Sequence, residues 1–222
     1  MNRISTMSIF EMIGFISSGI GITFQLVPLC ILSTILLGTV LGIIQFKRVP
    51  FLSRIIDLYI LAMRGVPPLV VLMLLFYSIN FKSPFLAAFI SLTVYHSAYV
   101  TEIVRGGFEA IPKGQMKAGE SLGLSYPAIM LKIYLPQIVL QIIPSLCGQY
   151  ILLVKDTTLV SIVGVQDIMW NARQLMEITF DPILVYILIG IFFYILCLVT
   201  ELIAVRVERS SSKKIKMKFQ GV

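Results

Sequence analysis

The sequence predicts an all-α protein that crosses a membrane several times. Of its 222 residues, 58% are hydrophobic and only 13% are charged, and the mean hydropathy is +0.95, far from the composition of soluble domains. A hydrocarbon core about 30 Å thick requires roughly 20 apolar residues for each helical crossing. Five apolar runs of about that length occur, so we predict a polytopic helical bundle with five transmembrane helices.

The five predicted spans are bounded by charged residues or by Gly, Pro and Asn. They cover residues 19–46, 58–79, 85–104, 133–154 and 183–205, within a transmembrane domain of residues 19–206. The third span is the least apolar, because His96 and Ser97 interrupt it. In residues 1–18, apolar side chains recur at helical spacing, which predicts an extracytoplasmic amphipathic segment at the membrane interface.

Lysine and arginine are distributed unevenly among the connections between these spans. They are frequent after the first span, between the third and fourth spans, and after the fifth. The positive-inside rule therefore predicts an outer N-terminus, an inner C-terminus and a basic cytoplasmic tail over residues 207–222 that lies beside lipid headgroups. The net charge of +7 thus indicates topology and not a nucleic-acid partner.

A polar, glycine-containing segment, GQMKAGESLGLS, occupies residues 114–125 between the third and fourth spans. It predicts a short helix over residues 113–122 that ends at Gly123, since glycine tolerates a positive φ. Ser125 and Pro127 predict the start of a second helix. Residues 108–130 would then form a compact cytosolic projection, which is suited to a groove on a partner protein.

This segment resembles the coupling loop of permease subunits in ATP-binding cassette importers. The family pattern is Glu-Ala-Ala, three residues, Gly, and about nine residues to Ile-x-Leu-Pro. It matches KAG at 117–119, Gly123 and IYLP at 133–136. Lys117 and Gly119 replace the family's Glu and second Ala. The resemblance implies that five residues couple the permease to an ATPase: Lys117, Ala118, Gly119, Glu120 and Gly123.

Three further segments resemble the polar amino acid branch of this family: RGVPPL at 64–69, AYVTEIVRGG at 98–107 and KDTTL at 155–159. The resemblance implies a type I importer-like permease in the inner or plasma membrane of a prokaryote. Two such subunits, identical or different, would form the pathway above two ATPase subunits. An extracytoplasmic substrate-binding protein would deliver a small polar amino acid.

Polar residues at membrane depth are candidates for the pathway, because burying a charge there costs about 2.5–3.5 kcal/mol or more. Arg64 meets a substrate carboxylate, pairs along its helix with Asp57, or simply anchors the helix at the membrane interface. The Lys155–Asp156 pair either offers both charges to an amino acid or serves subunit packing, and His96 is a pathway residue or a packed histidine. The predicted pathway residues are Arg64, Gln149, Lys155, Asp156, Thr157 and Thr158.

Other chemistry is not evident in the sequence. It contains no Gly-Lys dipeptide, hence no phosphate-binding P-loop, and no catalytic set, so we predict that the chain is not an enzyme. One histidine and three separated cysteines predict neither a metal site nor a cofactor. The alternative function is a secondary transporter or a channel subunit for small polar solutes, although no internal repeat or pore signature was found.

Overall fold

The computed structural model describes the backbone of residues 7–220 and the side chains of residues 7–206. Within these ranges the chain is helical and contains no strand. Residues 1–6 and the side chains of the predicted basic tail, 207–222, lie outside the described part. The α-helices are α1 (Ile9–Ser17), α2 (Ile20–Phe46), α3 (Leu52–Gly65), α4 (Pro68–Ser78), α5 (Pro84–Glu109), α6 (Lys113–Ser121), α7 (Tyr126–Ile129), α8 (Leu135–Asp156), α9 (Ile168–Thr179) and α10 (Pro182–Gln220).

Three stretches of the described chain are long and apolar enough to cross a membrane: Ile9–Phe46, Tyr126–Val163 and Pro182–Arg206. A fourth crossing is possible if α3 and α4, which meet at an angle of 113°, form one broken span. The helix α5 is not among these stretches. The fold is therefore a membrane bundle with three or four candidate spans by length and composition.

The second predicted span, residues 58–79, is not a single helix. Val66 adopts an extended conformation with φ −116° and ψ 138° between α3 and α4. Val66 and Pro67 each stand before a proline, and a residue before proline is sterically driven out of the helical region. The Pro-Pro pair therefore ends α3 and starts α4 in a new direction.

The helix α5 lies at the centre of the bundle, in contact with α2, α3, α4 and α8. Its pairing with α2 is close. A Cβ atom built on Gly38 would lie 2.6 Å from Val100, and one built on Gly42 would lie 2.8 Å from Val104. Small residues permit such an approach between membrane helices. Neighbouring helices therefore cover α5, which explains how this helix can be less apolar than α2 or the Pro182–Arg206 part of α10.

The first helix, α1, begins with a capping box. Ser8 Oγ accepts from the Glu11 backbone N–H at 3.4 Å, and Glu11 Oε2 accepts from the Ser8 N–H at 2.7 Å. Met12 and Ile16 are buried in a cluster with α9 and α10, whereas Phe10 is 87% exposed. Within the described part of the predicted amphipathic segment, residues 9–17 thus form a helix with its inner face against the protein.

Asp167 is a buried aspartate at the start of α9. Its Oδ1 accepts from the Trp170 N–H at 2.9 Å, and Oδ2 has no hydrogen-bond partner. Burial raises the pKa of the Asp167 carboxyl to about 6. A Cβ atom on Gly19 would lie 2.5 Å from the Asp167 backbone, so a side chain at position 19 would collide with this turn.

The polar segment between α5 and α8 folds as two short helices. The predicted helix over 113–122 is present as α6, and Gly123 follows it with φ +75°. Ser125 is the extended N-cap of α7, with Pro127 in the first turn. A π-helical turn, Met130–Tyr134, then leads into α8, so the segment is joined directly to a candidate spanning helix.

Candidate substrate pathway and coupling site

A buried polar group lies between α5 and α8. The His96 ring is only 1% exposed, and Gln149 Nε2 lies 2.7 Å from its Nδ1 atom. Because the amide N–H donates, Nδ1 accepts, and the ring proton of a neutral His96 resides on Nε2. Asp156 Oδ2 is 3.3 Å from Nε2, but Nε2 has no well-aligned acceptor. His96 therefore holds its N–H beside the Asp156 carboxylate.

Asp156 is the member of this group that reaches the protein surface. Its side chain is 26% exposed, whereas Gln149 is buried. One oxygen faces His96, and the carboxylate remains accessible to a cationic group from outside the helix pair. The structure thus brings together two of the predicted pathway residues, Gln149 and Asp156, with His96.

Lys155 and Thr158 lie on a different face. Both line a cavity of about 360 Å³ beside α10, together with Phe193 and Tyr194. Thr157 is fully buried, and its hydroxyl donates to the Val154 carbonyl at 2.7 Å. The Lys155 side chain is therefore not a partner of Asp156, and the Thr157 hydroxyl is used within the backbone turn that ends α8.

Arg64 lies at the end of α3 and pairs with α5. Its Nη1 atom is 3.4 Å from Glu102 Oε2, and its guanidinium carbon lies 5.7 Å from the centre of the Tyr99 ring. Asp57, the pairing alternative considered from the sequence, instead accepts a hydrogen bond from Gln45. The Arg64 side chain is 48% exposed, so part of the guanidinium remains available to a ligand.

Two tyrosines connect the surroundings of Arg64 with those of Asp156. Tyr95 and Tyr99 are one turn apart on α5, and their hydroxyls are 3.1 Å apart. Tyr99 contacts Arg64, and the Tyr95 ring lies edge-on to the His96 ring, with 5.2 Å between the ring centres. Neither tyrosine is among the predicted pathway residues, although their i, i+4 spacing already places them on one helix face.

A larger polar cavity, of about 820 Å³, begins at Arg64 and extends between α2, α3 and α5. On its wall, Arg105 makes two bonds of 2.9 Å to Glu102 and one of 2.6 Å to Glu109. The cavity carries three arginines and three acidic residues: Arg48, Arg64, Arg105, Asp57, Glu102 and Glu109. Such a mixed lining suits a solute that carries both charges.

The predicted coupling residues divide between two faces of α6. Lys117, Ala118 and Glu120 are exposed, as is Gly123 beyond the helix. Gly119 is buried instead, and a Cβ atom there would lie 2.9 Å from Ile129 Cγ1. Gly119 therefore permits close packing of α6 on α7 and does not face outward with the other four residues.

Leu122, the residue that follows α6, is not among the predicted coupling residues and is 80% exposed. It lies two residues from the exposed Glu120. Together, a buried polar group, a mixed-charge cavity and an exposed short helix are consistent with a membrane component of a transport system.

Comparison with known proteins identifies the family. Residues 34–213 match the family described as binding-protein-dependent transport system inner membrane component, and the chain belongs to this family. It is 32% identical over 202 residues to the arginine transport system permease protein ArtQ of Bacillus subtilis, covering 89% of this chain and 92% of the relative. It is 31% identical over 199 residues to the L-cystine transport system permease protein TcyB of the same species, covering 87% and 85%.

Solved structures agree with this assignment. A crystal structure of an amino acid ABC transporter with histidines superimposes with a TM-score of 0.83 at 27% identity, covering 92% of this chain and 99% of that one. An inward-facing MetNI methionine ABC transporter gives a TM-score of 0.74 at 18% identity, with the same coverage. The latter comparison supports the fold alone.

Proposed function

We propose that this chain is the permease subunit of an ATP-driven, binding-protein-dependent amino acid importer. The observation that carries the proposal is the partly exposed Asp156 carboxylate, held beside the buried His96 within a bundle of this family. A carboxylate at membrane depth is costly, so its presence indicates a functional site. Binding the ammonium group of a passing amino acid is the function that we assign to it.

The cargo is proposed to be an amino acid because the polar residues offer both charges. Asp156 would bind an ammonium group, and Arg64 and the mixed cavity below it would accommodate a carboxylate. The relatives carry names for arginine and cystine transport, and a further relative is named as a probable glutamine permease. These amino acids share the α-ammonium and α-carboxylate groups.

The exposed face of α6 is proposed to bind a separate ATPase subunit. Lys117, Glu120 and Leu122 project from the protein on a short helix, a form that fits a groove on a partner. A second permease subunit, identical or related, would complete the pathway, and a substrate-binding protein would dock on the opposite side.

Five crossings and an outer N-terminus complete the proposal. The crossings would be α1–α2, the bent pair α3–α4, α5, α7–α8 and α10. The helix α5 would cross the membrane within a layer of other helices, so that it needs no long apolar surface. The basic connections would then face the cytoplasm.

The test is uptake by the reconstituted transporter. The permease is placed in liposomes with the candidate ATPase and binding protein encoded by neighbouring genes, and labelled arginine, glutamine and cystine are supplied. We expect uptake of at least one of them that requires ATP and both partners. Uptake by the permease alone, driven by an ion gradient or by diffusion, would instead indicate a secondary transporter or a channel.

A further inference from the structure

We propose that Gln115 and Gln137 form the joint through which the docking helix α6 moves the pathway helix α8. Gln137 Nε2 donates to Gln115 Oε1 at 2.7 Å, and Gln115 Nε2 donates back to Gln137 Oε1 at 3.2 Å. Both side chains are partly buried. The role of this pair rests on the proposed function, since it requires α6 to bind an ATPase.

The position of Gln115 on α6 suits a joint. Gln115 and Gly119 are four residues apart and share the inner face of the helix, where Gly119 packs on Ile129. The outer face carries the exposed residues Lys117 and Glu120. A partner that binds the outer face therefore leaves the amide pair intact beneath it.

The position of Gln137 connects the pair to the pathway. It lies in the first turn of α8, whose last residue is Asp156 and which also carries Gln149. Gln137 Nε2 donates a second hydrogen bond, of 2.8 Å, to the Ile133 carbonyl. This bond holds the Gln137 amide against the π-helical turn that leads into α8, so a displacement of Gln115 acts on the start of α8.

The backbone between the two helices is a less direct connection. It contains Gly123 with a positive φ, the four-residue helix α7 and a π-helical turn at Met130–Tyr134, and π-turns interrupt the regular helical bonding. The amide pair bypasses Gly123 and α7 and joins α6 directly to the start of α8.

The apolar contacts beside the amide pair constrain the position of α6 less strictly than the hydrogen bonds do. Met116 of α6 packs against a cluster that contains Ile111, Ile129 and Ile138, but apolar contacts are non-directional and permit sliding. Hydrogen bonds require both a distance and an angle. The reciprocal amide pair therefore fixes the register of α6 on α8, which apolar packing alone does not.

The test compares alanine variants in the complete reconstituted transporter. Gln115→Ala and Gln137→Ala should each lower the number of substrate molecules carried per ATP hydrolysed by about fivefold, the factor expected for loss of one ordinary hydrogen-bonded link. The double variant should lose no more than either single variant, because one link is broken in all three. Gln141→Ala, which removes an exposed amide one turn further along α8, should leave the ratio unchanged.

A charge-pair variant tests whether the alanine variants lose transport because the link is broken or because the protein folds less well. Gln115→Glu combined with Gln137→Lys replaces the amide pair with an ion pair, and the lysine can still donate to the Ile133 carbonyl. We expect this double variant to recover most of the transport per ATP, while each of its single substitutions does not. Co-purification of the ATPase subunit should be equal for all variants.

Three results would overturn the joint. They are an unchanged transport ratio in both alanine variants, additive losses in the double alanine variant, and loss of ATPase binding, which would make the pair part of the docking surface. All three presuppose ATP-driven uptake by the wild type. Its absence from the wild type would reject the proposed function itself, and the joint with it.

Discussion

His96 Nε2 lies 3.3 Å from Asp156 Oδ2, while Gln149 bonds to the opposite ring nitrogen at 2.7 Å. The Gln149 amide thereby fixes which nitrogen of the neutral ring carries the proton. The carboxylate of Asp156 lies beside the His96 ring inside the bundle, while its outer side stays accessible. This arrangement suits a site that must bind a cation transiently, because the protein partner does not neutralise the carboxylate completely.

Asp156→Asn should reduce uptake by about tenfold and leave the fold intact. The substitution removes the charge but nearly preserves the shape, and a charge-assisted bond to an ammonium group contributes roughly 1.5–3 kcal/mol. The measurement is the uptake rate in proteoliposomes with equal amounts of inserted permease. Asp181→Asn, at an exposed aspartate outside this group, serves as the control, and wild-type uptake by Asp156→Asn would remove Asp156 from the pathway.

Gly123→Val should uncouple ATP hydrolysis from transport without preventing membrane insertion. Gly123 has φ +75°, and a Cβ atom there would meet nothing within 4 Å. The penalty is therefore conformational and not steric, and a β-branched residue is strained at such a φ.

Gly123→Asn is the matched variant, since asparagine tolerates the left-handed region. It should retain most of the substrate-stimulated ATPase activity that Gly123→Val loses. Equal activity in the two variants would show that the turn does not need its left-handed conformation.

Lys117→Glu, which restores the family's glutamate, should not strengthen association with the ATPase subunit. Lys117 is exposed on the outer face of α6, so its effect depends on the partner's charge. Opposite an acidic residue, the substitution weakens assembly, and more so at low salt because screening is weak. At the rim of the contact, its effect is close to zero. Co-purification at two ionic strengths measures this, and tighter binding of the glutamate variant would contradict the prediction.

The stability of the protein should depend on pH through Asp167. Burial raises the pKa of this carboxyl to about 6, above the value of about 3.9 for an unfolded chain. The contribution of Asp167 is therefore fully favourable below about pH 4 and is lost as the pH rises through 6. The difference amounts to about 3 kcal/mol for a shift of about two units.

Asp167→Asn should raise the apparent unfolding temperature in detergent at pH 7 more than at pH 5. Asparagine caps a helix about as well as aspartate and carries no charge to bury. Asp181, which caps α10 through the Leu184 N–H at 3.1 Å, is exposed, so Asp181→Asn provides the control. Equal effects of Asp167→Asn at the two pH values would exclude this account.

The sequence predicts local features of this fold well, because neighbouring residues determine them. Gly123 follows the end of α6 as expected, and Ser125 precedes the start of α7. The break at Val66 was missed, although the Pro67–Pro68 pair contains the steric reason for it. The prediction of a single span over residues 58–79 rests on the length of the apolar run and overlooks the Pro67–Pro68 pair inside it.

Side-chain partners were less predictable, because they depend on how helices rotate against each other. Consecutive residues of a helix point about 100° apart, so Lys155 and Asp156 diverge to different neighbours despite their adjacency. Arg64 pairs with Glu102 of α5 and not with Asp57 of its own helix. Gly119 faces inward because α6 packs closely on α7, and apolar pattern alone does not reveal that contact.

The close pairing of α2 and α5 has a consequence for how this protein is made. The helix α5 contains His96, Glu102 and Arg105, and it is not apolar enough to count as a spanning helix by itself. During synthesis, α2 emerges first and offers Gly38 and Gly42 as a surface for Val100 and Val104. We therefore expect α5 to enter the membrane while it packs against α2. A bulky residue at either glycine would then lower the amount of correctly inserted protein, independently of any effect on transport.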